Sequence, residues 1–154
     1  VQKAAEAKDV PKMQRVASDM QSKFGSTSFA QMTALAAAKT AFDAKDLKTA
    51  KAQLQWLVDN GKDEEFTSVA KLRLSGLLLD EKAFDAAMKL LDSGFPAQFA
   101  SPVADRKGDV LVAQNKLPEA RTAYQSALDK LEKDSPLRQL IQIKLDAIGG
   151  AKSA

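Results

Sequence analysis

Hydrophobic residues recur along this chain every three or four positions, in stretches that end at glycine, proline or a polar cluster. That spacing places them on one face of a helix and predicts an amphipathic α-helix for each stretch. Eight helices are predicted, over about residues 9–25, 28–44, 47–60, 63–80, 83–92, 101–114, 117–133 and 135–149. The fourth stretch is apolar around most of its circumference, so we expect it to be the most buried helix.

A short phrase recurs three times within this pattern: a large apolar residue, two spacers and an alanine. Its alanines are Ala50, Ala87 and Ala120, so the intervals are 37 residues (50 to 87) and 33 residues (87 to 120). Periods near 34 residues are typical of tetratricopeptide (TPR) arrays of helix–turn–helix units. A methyl group at this position lets the two helices of one hairpin cross closely. The phrase therefore predicts three hairpins, over about residues 28–60, 64–93 and 101–133.

The predicted fold is all-α, a TPR-like helix–turn–helix solenoid within one domain that covers residues 1–154. About three repeats are preceded by a half-repeat helix and followed by a capping helix over residues 135–149. Terminal units of such arrays must hide one apolar face, which is the role expected of this last helix. Another all-helical bundle is the alternative architecture. Ser101-Pro102 and Ser135-Pro136 each have the pattern of a capped helix start.

Composition removes most kinds of chemistry. Histidine and cysteine are both absent, so no disulfide, thiolate, catalytic triad or common zinc, haem or iron–sulfur site is expected. The net charge is only +3, from 23 basic and 20 acidic residues that are interspersed along the chain, which argues against nucleic-acid binding. Paired carboxylates such as Asp105 with Asp109 leave acid–base chemistry open. A serine–lysine pair at Ser75 and Lys71 is another remaining catalytic option. We interpret it as a small interface serine beside a solvated lysine, and we expect neither enzyme activity nor a cofactor.

The repeat register also predicts a binding groove, because the first helix of each TPR hairpin lines the concave surface. The groove would have an apolar middle and an acidic end. Its candidate protein-binding residues are Leu35, Lys39, Leu72, Gly76, Asp105 and Asp109. The competing interpretation places the large apolar members of this face, Leu35, Phe42, Leu72 and Leu79, in the core.

Four stretches carry a resemblance to a known family, namely residues 44–55, 69–74, 104–111 and 142–148. Over residues 24–149 the chain resembles the periplasmic domain of the YfgM-type ancillary Sec-translocon subunits. The resemblance implies a protein–protein interaction module on the periplasmic face of the inner membrane of Gram-negative bacteria, held by one N-terminal membrane helix. It implies as partners the translocon components, a periplasmic chaperone of the PpiD type and unfolded secreted clients.

The resemblance carries no catalytic or ligand motif, so it assigns a role to no single residue. The chain begins at Val1 without a methionine, and we expect a membrane anchor to be missing from it. The alternative function is a soluble TPR adaptor that assembles another complex, for instance in the cytoplasm. A small hydrolase on a helical scaffold is the third and most remote hypothesis.

Overall fold

The structure, a computed structural model, describes residues 9–24 and 27–149, and these residues form helices and no strand. The all-α, TPR-like prediction is confirmed. The segment before Asp9 and the helix stop predicted at Gly25 lie outside the described residues. The helices are α1 (Val10–Phe24), α2 (Ser28–Asp43), α3 (Leu47–Asn60), α4 (Glu64–Asp80), α5 (Phe84–Leu91), a 3-10 turn (Ala97–Phe99), α6 (Ala100–Ala113), α7 (Leu117–Asp129) and α8 (Leu137–Ala147).

Side-chain caps set the starts of the first helices. The Asp9 carboxylate accepts a hydrogen bond of 3.1 Å from the Lys12 amide at the start of α1, as the sequence predicts. Asp46 does the same for α3, where it accepts from the Thr49 amide at 3.1 Å and from the Thr49 hydroxyl at 2.7 Å. Each cap satisfies an amide that has no partner within its own helix.

The helix start predicted at Ser101 is wrong. The 3-10 turn leads directly into α6, which begins one residue earlier, at Ala100. Ser101 therefore lies inside the helix, where it is 6% exposed. Its hydroxyl donates a hydrogen bond of 2.8 Å to the Ala127 carbonyl of α7. The serine thus ties the two helices of the third hairpin together instead of capping one of them.

The described residues form two compact units, which divide between residues 77 and 78. In the first unit α2 packs between α1 and α3. The side chains that α2 buries are mostly small, which lets both neighbouring helices approach closely. Its buried residues are Ala30, Gln31, Thr33, Ala34, Ala37, Ala38, Thr40 and Ala41. α4 buries fewer residues, namely Ser68, Ala70, Leu74, Ser75 and Leu77. The expectation that α4 is the most buried helix is therefore wrong. The small side chains of α2 predict burial better than the largely apolar circumference of α4 does.

Gln31 is a buried polar residue that organises the first unit. Its side chain is 1% exposed. Its amide oxygen accepts hydrogen bonds from the backbone amides of Lys62 at 3.1 Å and Asp63 at 2.9 Å. These amides immediately precede α4 and would otherwise lack partners. The glutamine therefore joins the N-terminal turn of α2 to the start of α4.

The second unit is a sequence of neighbouring contacts: α5 packs on α6, α6 on α7 and α7 on α8. Its core cluster consists of Ala104, Tyr124, Ala127, Leu128, Ile141 and Leu145. Phe95 and Phe99 lie in the loop before α6, with ring centroids 6.4 Å apart. α8 contributes Ile141 and Leu145 to the cluster, which fixes the last helix against the third hairpin.

The turns that precede the three repeated alanines have the same geometry. Lys45, Lys82 and Asn115 have left-handed φ angles of 63°, 62° and 59°. In each turn this residue's amide bonds the carbonyl three residues earlier at 2.9 Å, and the next amide bonds the carbonyl five residues earlier at 2.8 Å. This pair of bonds is the Schellman arrangement that ends many helices. Five residues later the alanine is buried in every case, with an exposure of 0 to 1%.

Candidate protein-interaction surfaces

An apolar stripe runs along the outer face of α2. Phe29, Met32 and Phe42 are 62%, 54% and 52% exposed. Leu35 lies between them and is half-buried. Lys39 is exposed on the same face and forms an ion pair of 2.9 Å with Asp43 on the next turn. We call Phe29, Met32, Leu35, Lys39 and Phe42 the α2 face. Large apolar side chains at helical spacing in solvent mark a surface available for contact.

The α2 face contains two residues predicted for the groove, Leu35 and Lys39. It also shows that the core interpretation is wrong for Phe42. Phe29 and Met32, which are also exposed on this face, are not among the residues predicted for the groove. The sequence contains a signal for this surface. The alanines of α2 form one apolar face that can be buried, so its large apolar side chains must lie on a second face.

Leu72 and Gly76 lie four residues apart on α4 and therefore share a helix face. Both are half-buried. A Cβ added at Gly76 would meet no atom within 4 Å, so the backbone there is open. Ser75 is 2% exposed and donates a hydrogen bond of 2.7 Å to the Leu72 carbonyl. A buried hydroxyl that is bonded to its own helix is not available as a nucleophile, so the serine–lysine option loses its serine.

Asp105 and Asp109 lie close together, as predicted, but they share one cation from within the chain. The Lys144 ammonium of α8 lies 3.1 Å from a carboxylate oxygen of each. The Tyr124 hydroxyl donates a hydrogen bond of 2.7 Å to Asp109, and the Lys144 nitrogen lies 5.9 Å from the centroid of the same ring. The carboxylate side chains are only 18% and 19% exposed.

The electrostatics of this cluster follow from burial. Desolvation and the neighbouring Asp109 charge raise the pKa of Asp105 above its usual value, and Lys144 offsets only part of that effect. Desolvation and the hydrogen bond to Asp109 also raise the pKa of Tyr124, so its hydroxyl stays protonated as a donor. The two aspartates thus hold α8 in place through Lys144. Their role in contacting another protein stays a prediction.

The described residues offer little to a metal or a small ligand. Across residues 9–24 and 27–149 no three acidic side chains are grouped to bind a metal ion. An open cavity of about 480 Å³ lies in the second unit, where Leu91, Phe95 and Val103 are among the lining residues. Lys107 and Asp92 also line it and form an ion pair of 2.7 Å.

Among the same described residues, no helix has both the length and the apolar composition required to cross a bilayer.

Comparison with known proteins identifies relatives over most of the chain. An ancillary SecYEG translocon subunit of Neisseria gonorrhoeae is 43% identical over 123 residues, which are 80% of this chain and 58% of that protein. An ancillary SecYEG translocon subunit of Escherichia coli is 28% identical over 137 residues, which are 89% of this chain and 64% of that protein. The chain thus spans about three fifths of the length of each relative. No solved structure matches it.

These relatives confirm the resemblance to the YfgM-type subunits. A family model described as a tetratricopeptide repeat-like domain matches residues 1–150. The three equal turns and the buried alanines that follow them are the local structure expected of such repeats. The chain belongs to the tetratricopeptide repeat-like domain family.

Proposed function

We propose that this domain is a non-catalytic protein-binding module that assists the Sec translocon. One observation carries the proposal: an apolar helix face, the α2 face, lies open to solvent in a chain whose relatives are ancillary translocon subunits. Repeat arrays present long surfaces of this kind to other proteins. The chain has no histidine or cysteine, and its candidate serine, Ser75, is buried, so catalysis lacks its usual groups.

The composition of the α2 face suits adaptable binding. Its exposed members combine two phenylalanines and a methionine around one lysine. Methionine is flexible and polarisable and adjusts to differently shaped partners. Unfolded secreted chains expose varied apolar segments, so they fit this surface as clients. Translocon components and a periplasmic chaperone of the PpiD type are the proposed stable partners, by resemblance to the family.

The proposed location is the periplasmic face of the inner membrane, with the domain held there by an N-terminal anchor. Anchoring raises the effective concentration of a weak binder near its partners. The α2 face contains no tryptophan, tyrosine or arginine, the residues that dominate strong contacts. We therefore expect weak binding by the isolated domain. A soluble adaptor for another complex is the alternative, and it would need no anchor for capture.

The proposed contact residues are Leu35, Lys39, Leu72 and Gly76, together with Phe29 and Met32. Asp105 and Asp109 are kept as candidates but make poor probes. A lysine at position 105 would place a second ammonium group beside Lys144, which lies 3.1 Å from the present carboxylate. Such a variant would lose stability, and its loss of binding would say little about the surface.

The test is co-purification of translocon components with the full-length anchored protein from detergent-solubilised membranes. Met32→Glu and Leu72→Glu should each reduce capture severalfold, because a carboxylate replaces apolar contact area. Leu47→Glu is the matched control, since Leu47 is also a large exposed apolar residue, at 46%, at the start of α3. Circular dichroism of each variant establishes that it is folded. Full capture by folded Met32→Glu and Leu72→Glu variants would refute the proposed surface.

Anchoring is tested separately, by comparing the full-length protein with this domain alone. Strong capture that requires the anchor supports the membrane-bound role. Equal capture of translocon components by both forms would contradict the role given to anchoring. Capture of a different complex by the soluble form alone would favour the adaptor.

A further inference from the structure

The outer face of α8 is apolar, although α8 occupies the position of a cap. Leu137, Leu140 and Ile143 recur every three residues along it and are 50%, 50% and 58% exposed. An adjoining side of the helix buries Ile141 and Leu145. Capping helices of repeat arrays are expected to present a polar outer face, because that face meets water. α8 is therefore apolar on two sides.

The register explains why this helix has a second apolar side. Ser135-Pro136 lies 34 residues after Ser101-Pro102 (101 to 135), which is one TPR period. By this spacing α8 corresponds to α6, the first helix of the preceding hairpin. In that hairpin a second helix, α7, packs on α6. The α6 position equivalent to Ile143 is Asp109 (143 − 34), which bonds Lys144 of α8. This part of the outer face of α8 thus lies where a following helix packs on α6.

The charges of α8 are distributed unequally between its two sides. Lys144 bonds Asp105 and Asp109, and the Arg138 guanidinium donates to the carbonyls of Leu128 and Leu131, both at 3.1 Å. Both cations of the helix are therefore engaged by the rest of the unit. Before the helix, the acids Glu132 and Asp134 and the intervening Lys133 are exposed, and Asp146 is exposed near its end. The exposed charge at each end of the apolar stripe is therefore negative on balance.

A second copy of the chain fits this surface poorly. Asp134 and Asp146 each lie six residues from Leu140 (140 − 134 and 146 − 140). Two α8 helices that pair antiparallel around Leu140 would bring Asp134 of one copy opposite Asp146 of the other. Parallel pairing would bring each aspartate opposite its own equivalent. Either arrangement sets like charges against each other at both ends, which is destabilising.

We propose that the α8 outer face docks an amphipathic helix of another protein that carries basic residues at both ends of its apolar stripe. Leu137, Leu140 and Ile143 would contact the apolar side chains, and Asp134 and Asp146 would pair with the flanking cations. Leu137 and Ile143 are six positions apart on the helix (137 to 143), which corresponds to about 9 Å, so the cations would lie beyond the two ends of a stripe of that length. This surface lies on a different helix from the α2 face and does not depend on the proposed translocon role.

The test uses two designed helical peptides labelled with a fluorophore. Both carry leucines at helical spacing, and they differ only in having lysine or glutamate at the two ends. Fluorescence anisotropy measures their binding to the full chain. The lysine-ended peptide should bind about tenfold more tightly than the glutamate-ended one at low salt, and this preference should shrink as salt is added. Equal binding of the two peptides would overturn the charge assignment.

Variants locate the contact. Leu140→Glu should weaken binding of the lysine-ended peptide by about tenfold or more, since a carboxylate enters the centre of the apolar stripe. Asp134→Lys with Asp146→Lys should reverse the preference between the two peptides. Leu47→Glu at the start of α3 is the control, since Leu47 is exposed and lies in neither proposed surface, and it should bind both peptides unchanged. Circular dichroism of Leu140→Glu should match that of the unchanged chain, because Leu140 is half exposed.

Two results would refute the proposal. One is undiminished binding of the lysine-ended peptide by folded Leu140→Glu. The other is self-association of the unchanged chain in sedimentation that Leu140→Glu abolishes, because the surface would then belong to a second copy.

Discussion

Gly108 on α6 is a position where one added methyl group should be costly. A Cβ at this residue would lie 2.4 Å, 2.6 Å and 2.8 Å from three carbon atoms of the Tyr124 ring. Ordinary contacts between carbon atoms are about 3.5–4.0 Å, so the ring or the helix must move by about 1 Å. The ring is held by the core cluster around it and by the 2.7 Å hydrogen bond from its hydroxyl to Asp109.

The magnitude follows from two opposing effects. Overpacking in a filled core costs about 1–3 kcal/mol. Replacing glycine by alanine inside a helix gains about 0.8–1.0 kcal/mol. Gly76 on α4 supplies the control, because a Cβ there meets no atom within 4 Å. Gly76→Ala should therefore raise the free energy of unfolding by about 1 kcal/mol. The difference between Gly108→Ala and Gly76→Ala then isolates the overpacking cost, at about 1–3 kcal/mol.

Urea unfolding followed by far-UV circular dichroism measures both variants. The chain has one tryptophan and one tyrosine, Trp56 in the first unit and Tyr124 in the second. Trp56 fluorescence and the near-UV signal of Tyr124 therefore follow the two units separately. Gly108→Ala should shift mainly the Tyr124 transition. In a Tyr124→Leu background the added cost of Gly108→Ala should shrink, since the ring is the obstacle. Equal stabilisation by Gly108→Ala and Gly76→Ala would refute the reasoning.

Three further predictions concern buried polar groups and turns. Burial raises the folded-state pKa of Asp105 above its ordinary value of 3.8, so ionisation of this carboxyl group lowers the stability of the folded chain. Asp105→Asn should therefore gain stability relative to the unchanged chain as the pH rises from 3 to 7. Urea unfolding across that pH range measures the difference, and a difference that does not depend on pH would contradict the prediction. Gln31→Met should lower the free energy of unfolding by about 1–3 kcal/mol, because two backbone amides lose their acceptor. Gln55→Met, on the exposed side of α3, is the control and should change the free energy of unfolding by less than about 0.5 kcal/mol. Lys82→Gly should raise the thermal midpoint, because glycine relieves about 0.5–1 kcal/mol of strain at a left-handed φ. Lys89→Gly inside α5 is the control and should lower the thermal midpoint. If both variants had lower thermal midpoints, the turn at Lys82 would be unstrained.

The fold was predictable from the sequence because its determinants are local. The repeated alanines Ala50, Ala87 and Ala120 are buried as the phrase predicts, and each follows a turn of fixed geometry. Glycine, proline and capping residues place most helix ends within a few positions. Ser101 shows the limit, because a hydroxyl that suits a helix cap also suits a bond to the carbonyl of a neighbouring helix.

The candidate surfaces were less predictable, since they depend on which side of a helix is already occupied. Phe42 is apolar and exposed, while the alanines of the same helix are buried. Nothing in the local pattern of α6 indicates that Lys144, 35 residues after Asp109 (109 to 144), supplies the cation for its acidic pair. Gln31 likewise bonds amides that follow it by more than 30 residues. Partners that are distant in sequence have no spacing rule by which to find them.

The three equal turns also bear on how such a chain can be lengthened or recombined. Each turn has the same two hydrogen bonds, and in each the alanine follows the left-handed residue, Lys45, Lys82 or Asn115, by five positions. Differences in repeat length must therefore accumulate elsewhere, as in the second helices of the first two hairpins, which have 14 residues in α3 and eight in α5. The turn is consequently a standard joint. A chimaera cut at the left-handed residue of one unit and continued from the equivalent residue of another keeps both bonds, so whole units become exchangeable modules for building longer arrays.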